Sequence, residues 1–308
     1  MDAPAAGHGL SATRGHLVPL LREIGDLKRI TSSGRQGSIA ERAFRRAWAA
    51  LVAGQSPRDV SLATTAICVA ATRMGDLDTE TMMALGLSRD EALDVGREAL
   101  RSFADVLPPG LVSRLVDGIG LQVGSAAGRD EPSFVDALAG QPRAGITCPG
   151  RARIVLQPAE NHAEHCAIVA VYAVLLAEEG ADGTTAFLAS LAHHLHNAAM
   201  PDAGFTGEML LGAHLGPVME RATRAALDEL DPRLRATVES ALVILPDAST
   251  PEGRAFHAAD VLDRVLEIEQ HLMAAELTMD TVLGEMALVH EGPVKGYHDG
   301  VLSEMGLG

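Results

Sequence analysis

The chain has 308 residues, 47% of them apolar, which is ample for a packed core. Aromatic residues make up only 3%, so that core must rest on Ala, Leu, Val, Ile and Met. A formal charge of −16 with no clustered Lys and Arg excludes a nucleic-acid backbone as partner and disfavours an anionic membrane surface.

Cys68, Cys148 and Cys166 are widely spaced and form no CxxC pair, which excludes a disulfide framework and a thiolate zinc site. The first 21 residues lack the apolar run of a signal peptide, and the longest apolar run, Cys166 to Ala177, has 12 residues. That is too short to cross a bilayer. The expected setting is cytoplasmic, without a membrane partner. Ala, Leu, Glu and Arg dominate the periodic stretches, and these strong helix formers predict an all-α fold.

In chain order, Ser38 and Glu41 read as a capping box ahead of AFRRAWAALVAG, which stops at Gly54. Ser56-Pro57 opens a second helix with Pro at its favoured first position. Ser88 and Glu91 form another capping box, and Pro108-Pro109 ends that helix and starts a shorter one. These elements predict an amino-terminal helical bundle over residues 1–130 with no chemistry of its own. It is expected to pack on the rest of the chain or to form a homodimer. From Gly118 to Pro149 the chain is rich in Gly and Pro, from Gly124 and Gly128 to Gly145 and Pro149. Residues 131–154 therefore read as an inter-domain connection holding one short helix near Ser133 to Ala139. RARIVLQP reads as a brief extended stretch. Residues 155–308 read as a second helical domain, with helices over 161–179, 183–198, 206–228, 232–245, 252–271 and 273–290 and a carboxy-terminal tail.

Seven of the 12 histidines fall between residues 160 and 260. His162 and His165 share one helix face at a spacing of three, and His193 and His196 repeat it beside His194. His257 and Asp260 repeat it again, with His214 on the segment between. A lone histidine on a helix is usually a core or surface residue. A set of this size is different, because burying several imidazoles and an Asp without a metal leaves costly unsatisfied groups. Helices carrying ligands on one face can converge on a bundle-core metal site.

The ordered segments AEHCAIVA, ASLAHHL and AADVLD resemble the HD-domain superfamily of metal-dependent enzymes over roughly residues 155–275. The resemblance implies metal ligands at His165, His193, His194 and Asp260. His194 stands where the family has Asp, which removes a carboxylate from the site. His196, His214, His162 and His257 are supplementary ligand candidates. The resemblance implies either a phosphohydrolase or an enzyme of the branch that binds two irons and activates dioxygen. His-rich ligation and the scarcity of Lys, with only Lys295 in this half, favour a non-haem iron oxygenase acting on a small molecule. Manganese, cobalt or zinc are the alternative metals, a hydrolase the alternative activity, and a degenerate HD domain used for binding the third. Asp202 and Glu208, in the loop after the dyad, are candidates for proton transfer. The tail is expected to pack on its own domain or on a partner subunit; if it closed instead as a lid, Lys295 and Tyr297 would contact substrate.

Overall fold

The computed structural model describes residues 14–121, 131–275 and 278–307. Gly124 and Gly128, read as part of the connection, lie outside the described residues. Among those described the fold is all-α, with fourteen α-helices and only isolated antiparallel bridges. No helix among them is long and apolar enough to cross a membrane.

The amino-terminal half contributes α1 (Val18–Gly25), α2 (Ile39–Val52), α3 (Pro57–Met74), α4 (Thr79–Ala84), α5 (Arg89–Arg101) and α6 (Pro109–Gly118). The middle segment contributes α7 (Ser133–Gly140). The second half contributes α8 (His162–Leu175), α9 (Gly183–Ala192), α10 (Gly204–Leu211), α11 (Leu215–Leu227), α12 (Pro232–Leu242), α13 (Pro251–Ala275) and α14 (Lys295–Glu304). Ser88 and Glu91 form the expected reciprocal capping box of α5. Ser38 caps α2 by accepting from the Glu41 N–H, but the Glu41 carboxylate turns away to Arg45 and Asn161.

α8 is the axis of the molecule. Every residue of it is buried, as an element apolar on all sides must be. Asn161 and Glu164 close a capping box at its start. The Ser38 hydroxyl donates to Glu164 at 2.6 Å, and the Asn161 amide donates to Glu41 at 3.1 Å. The starts of α2 and α8 are thus capped by one another. At the other end of α8 the Tyr172 hydroxyl donates to the Leu21 carbonyl of α1. Both apolar cores draw on both halves: one joins Leu21, Val69 and Leu100 to Val171 and Val265, the other joins Phe44 and Trp48 to Phe134, Ala167 and Phe187. The hydrophobic interior therefore spans the boundary expected near residue 130.

The segment read as a connection is a packed wall. α7 buries Phe134, Val135 and Leu138, and residues 146 and 154 pair as an antiparallel bridge. Gly145, at φ +76°, must be glycine, because a Cβ there would overlap the Ile154 carbonyl oxygen. The helix expected over 183–198 breaks at His193-His194 into a 3-10 turn, Leu195–Ala198. The helix expected over 206–228 breaks at Gly212, where φ is +49°. The helix expected over 273–290 is replaced: α13 runs on to Ala275, and a short π-turn, Thr281–Glu285, follows among the described residues. The tail is itself helical, because Val301, Leu302 and Met305 give α14 an apolar face to bury.

Candidate metal centre

His165 projects from α8, fully buried. Its Nδ1 lies 2.7 Å from Asp263 Oδ2, and an ionised carboxylate can only accept, so Nδ1 carries the proton. His193, at the carboxy-terminal cap of α9, places Nδ1 2.6 Å from the Ser190 carbonyl, which fixes the same tautomer. His194 places Nδ1 2.7 Å from Asn197 Oδ1, whose amide NH2 is turned to the Met200 carbonyl. All three imidazoles are thereby oriented by an acceptor on Nδ1, which in the neutral ring leaves the lone pair on Nε2. Outer partners of this kind are what orient metal-binding histidines.

The free nitrogens converge. His165 Nε2 is 3.2 Å from His193 Nε2. Asp260 Oδ1, from α13, is 3.2 Å from the former and 3.9 Å from the latter. One ring nitrogen from each of His165, His193 and His194 lies within 4.8 Å of the others, a spacing that can hold a metal ion. The break at His193-His194 lets consecutive residues turn both rings to one side. Burial dominates their protonation: it pushes His193 down to about 3 and His194 well below its usual range. Burial alone would raise Asp260, but His165, His193 and Arg264 outweigh it and hold the carboxyl well below the usual range. Neutral imidazole and ionised carboxylate are the ligating forms.

Behind His165 lies a buried ion network. Lys28 Nζ is 2.7 Å from Glu160, 2.7 Å from Asp263 and 3.3 Å from Glu267. Arg143 also pairs with Glu160, at 3.0 Å, and Arg29 with Glu267, at 2.7 Å. Burial disfavours the Lys28 ammonium, but the three carboxylates outweigh that and hold it protonated well above its usual range.

In front of the cluster is a cavity of about 350 Å3 that His193, His194, His196 and Asp260 help to line. Arg143 and Arg264 bring positive charge to its wall, and His290 enters from the chain beyond α13, stacked on Phe205 at 3.6 Å. Arg264 makes one described hydrogen bond, to the Leu288 carbonyl at 3.2 Å. Glu208 also faces the cavity, its carboxyl pushed up mainly by burial.

The other sequence candidates fall into place unequally. His162 is buried with neither ring nitrogen hydrogen-bonded, its ring 4.7 Å from that of His194. Its Nε2 is 3.6 Å from Asp202 Oδ2. Asp202 accepts the Ala144 and Gly204 N–H groups at 2.8 Å each, which help to keep it ionised and fixed against burial. His196 lines the cavity, held down to about 4 by burial. His257 is buried beside His298, with rings 5.6 Å apart, and does not line the cavity. His214 is exposed beyond the break at Gly212. Lys295 pairs with Asp299, and the Tyr297 hydroxyl donates to the Arg254 carbonyl. The tail thus packs on α13 instead of closing over the cavity with these two groups. Asp263, Glu160, Lys28, Asn197, Arg143 and Arg264 carry no motif in the sequence that points to the site. Only Asp263 leaves a signal there, three residues after Asp260 on the same helix face.

Comparison with protein-family models, with curated proteins and with solved structures finds no match.

Proposed function

We propose that this chain is a metal-dependent enzyme with an HD-type centre, and that it uses iron and dioxygen to oxidise a small molecule in the adjoining cavity. One observation carries the reading: the Nε2 atoms of His165 and His193 converge with Asp260 Oδ1 at 3.2, 3.2 and 3.9 Å. With the rings neutral, these are three donor atoms aimed at one spot, an arrangement that suits a cation. Metal–nitrogen bonds of about 2.0–2.1 Å at the tetrahedral angle separate neighbouring donors by about 3.3–3.4 Å, close to the two 3.2 Å spacings and shorter than the 3.9 Å one. Two imidazoles and one carboxylate beside an open cavity are the donor set of non-haem iron oxygenases. His194 adds a third imidazole. Manganese, cobalt and zinc accept the same donors, and metal analysis distinguishes them. The unpartnered nitrogens of His162, with Asp202 beside them, support a second ion next to His194. The ordered resemblance of the AEHCAIVA, ASLAHHL and AADVLD segments to the HD superfamily supports the same ligand set.

Bound iron would supply the activation of dioxygen. The chain supplies the rest: His165, His193 and Asp260 would hold the ion, and Phe256 packs edge-on against His193 with ring centres 5.3 Å apart. Glu208, with its raised carboxyl, can carry a proton to or from a bound molecule. Arg143 and Arg264 favour a substrate with an anionic group. Those two guanidinium groups also support a second reading, metal-assisted phosphoester hydrolysis, because they supply the phosphate-binding charge that the scarcity of Lys withholds.

Metal analysis of the as-purified protein, with electron paramagnetic resonance before and after mild reduction, separates the readings. Stoichiometric iron with coupled signals is the expected result. Zinc, manganese or cobalt without iron would overturn the oxidative reading in favour of hydrolysis. Substoichiometric metal, unaffected by His193→Asn, would overturn both and leave a binding module.

A further inference from the structure

We infer that Lys28 is a built-in cation: its ammonium takes the place of a metal ion in the carboxylate pocket behind His165 and, through Asp263, positions that imidazole. The chain has only two lysines among 25 Lys and Arg residues, Lys28 and Lys295. Every other basic position is Arg, a planar fork; the one buried beside His165 is the compact point charge. Lys28 is 6% exposed, and its Nζ sits 2.7, 2.7 and 3.3 Å from three carboxylates that come from two separate segments. Glu160 and Asp263 lie with His165 in a grouping whose polar atoms are all within 4.8 Å of one another; the two carboxylates are its cation-binding groups, since His165 Nδ1 already faces Asp263. An ammonium already fills it.

Two consequences follow. Asp263 faces Lys28 with Oδ1 and His165 with Oδ2, so its carboxylate is shared between a fixed positive charge and the imidazole N–H. That charge holds the Asp263 carboxylate oriented toward Nδ1, and so keeps Nε2 aimed at the metal position. Further, any second ion belongs on the His162 side of the centre, because the Asp263 side is taken. The residue comes from the turn after α1, which ties the amino-terminal half to the centre.

The positioning role rests on His165 being a metal ligand; the occupancy claim does not. The test is Mn2+ titration of the metal-stripped full chain, following free Mn2+ by electron paramagnetic resonance, for wild type and Lys28→Met. Methionine keeps the length and removes the charge. The expected result is one additional Mn2+ per chain in K28M, lost again in K28M/E160Q, with binding at the original site weakened by about tenfold or more. Since K28M leaves a buried carboxylate uncompensated, the charge-balanced pair E267Q and K28M/E267Q is titrated as well, with the same gain of one ion expected. An unchanged stoichiometry in both comparisons overturns the inference. If wild type binds no Mn2+ while K28M binds one, Lys28 is the internal cation and the metal centre proposed at His193 and Asp260 fails. The opposite pattern, one ion in each, retains the centre and rejects the role of Lys28.

Discussion

The Nε2 atoms of His165 and His193 face one another across 3.2 Å, each ring having already committed its Nδ1 proton to an acceptor. Asp260 Oδ1 points at the same spot, 3.2 Å from His165 Nε2. A cation that binds there would take up all three donor atoms at once. His193→Ala should therefore weaken Mn2+ binding at least about a hundredfold, since even loss of an outer partner reaches that figure. His214→Ala should leave it unchanged, because that ring is exposed beyond the break at Gly212. Equilibrium dialysis on both variants decides the point; equal affinities would sink the assignment.

His194 presents an imidazole where the HD pattern has a carboxylate. Its Nδ1 is held by Asn197 at 2.7 Å, so the ring is positioned rather than loose. Carboxylate in its place would add charge and suit harder cations. His194→Asp should shift metal preference toward Mn2+ and Mg2+ relative to Zn2+. Competition between Zn2+ and Mn2+ measured on both proteins checks this, and an unchanged preference would show that His194 is not a ligand.

What is legible in the sequence is whatever repeats at helical spacing. His165, the His193-His194 pair and Asp260 stand out because each sits in a short apolar helical context, and the structure brings their polar atoms together. Groups arriving from afar in sequence leave no such trace. Lys28 reaches Asp263 across more than 200 positions, and no local pattern marks that contact. Arg143 lies in a Gly- and Pro-rich stretch that reads as connection, and Glu160 follows soon after it, although its bridges and Gly145 make that stretch a cavity wall. His214 falls away from the centre because the helical pattern runs unbroken through Gly212, whose positive φ turns the chain. The glycines of the tail likewise hide α14, whose stability comes from burying Val301, Leu302 and Met305 and not from helix propensity.

Gly145 offers a direct test of that wall. Gly145→Ala would force a side chain into the Ile154 carbonyl at a φ of +76°. The cost should be about 1–3 kcal/mol, with loss of the pairing between residues 146 and 154. A fall in urea midpoint accompanied by faster amide exchange at Ile146 and Ile154 is the expected signature. Wild-type stability would mean that the segment is held by other contacts.

Imidazoles that are buried or partly buried should limit the acid stability of the metal-free protein. Burial pushes His193 down to about 3 and His196 and His298 down to about 4, against 6.5 when unfolded. Folded pKa values below the unfolded one mean that the unfolded chain takes up protons first as pH falls. The stability is complete above about pH 6.5 and is lost progressively toward about pH 3–4, each group contributing a slope of about 1.4 kcal/mol for every pH step of one. The urea midpoint should therefore drop steadily from pH 6.5 to 4.5, and less steeply in His298→Asn. A flat profile over that window would contradict the assignment of these rings as shielded from solvent and neutral.

Glu164 works in the opposite direction. It is 6% exposed at the start of α8, and burial pushes its carboxyl up to about 7, although Ser38 and the Asn161 N–H favour the anion. A folded pKa above the unfolded value of 4.5 contributes stability that is complete below about pH 4.5 and is lost as pH rises through about 7. At pH 8 the protein holds a charge there at a cost on the order of 3 kcal/mol. Glu164→Gln keeps an oxygen to accept the Asn161 N–H and carries no charge. Relative to wild type it should therefore gain stability as pH rises from 5 to 8, by about 2–3 kcal/mol. Denaturant unfolding of both metal-free proteins at the two pH values measures the difference. Parallel curves would mean that Glu164 is solvated enough to ionise freely, and that the shared capping of α2 and α8 stores no charge penalty.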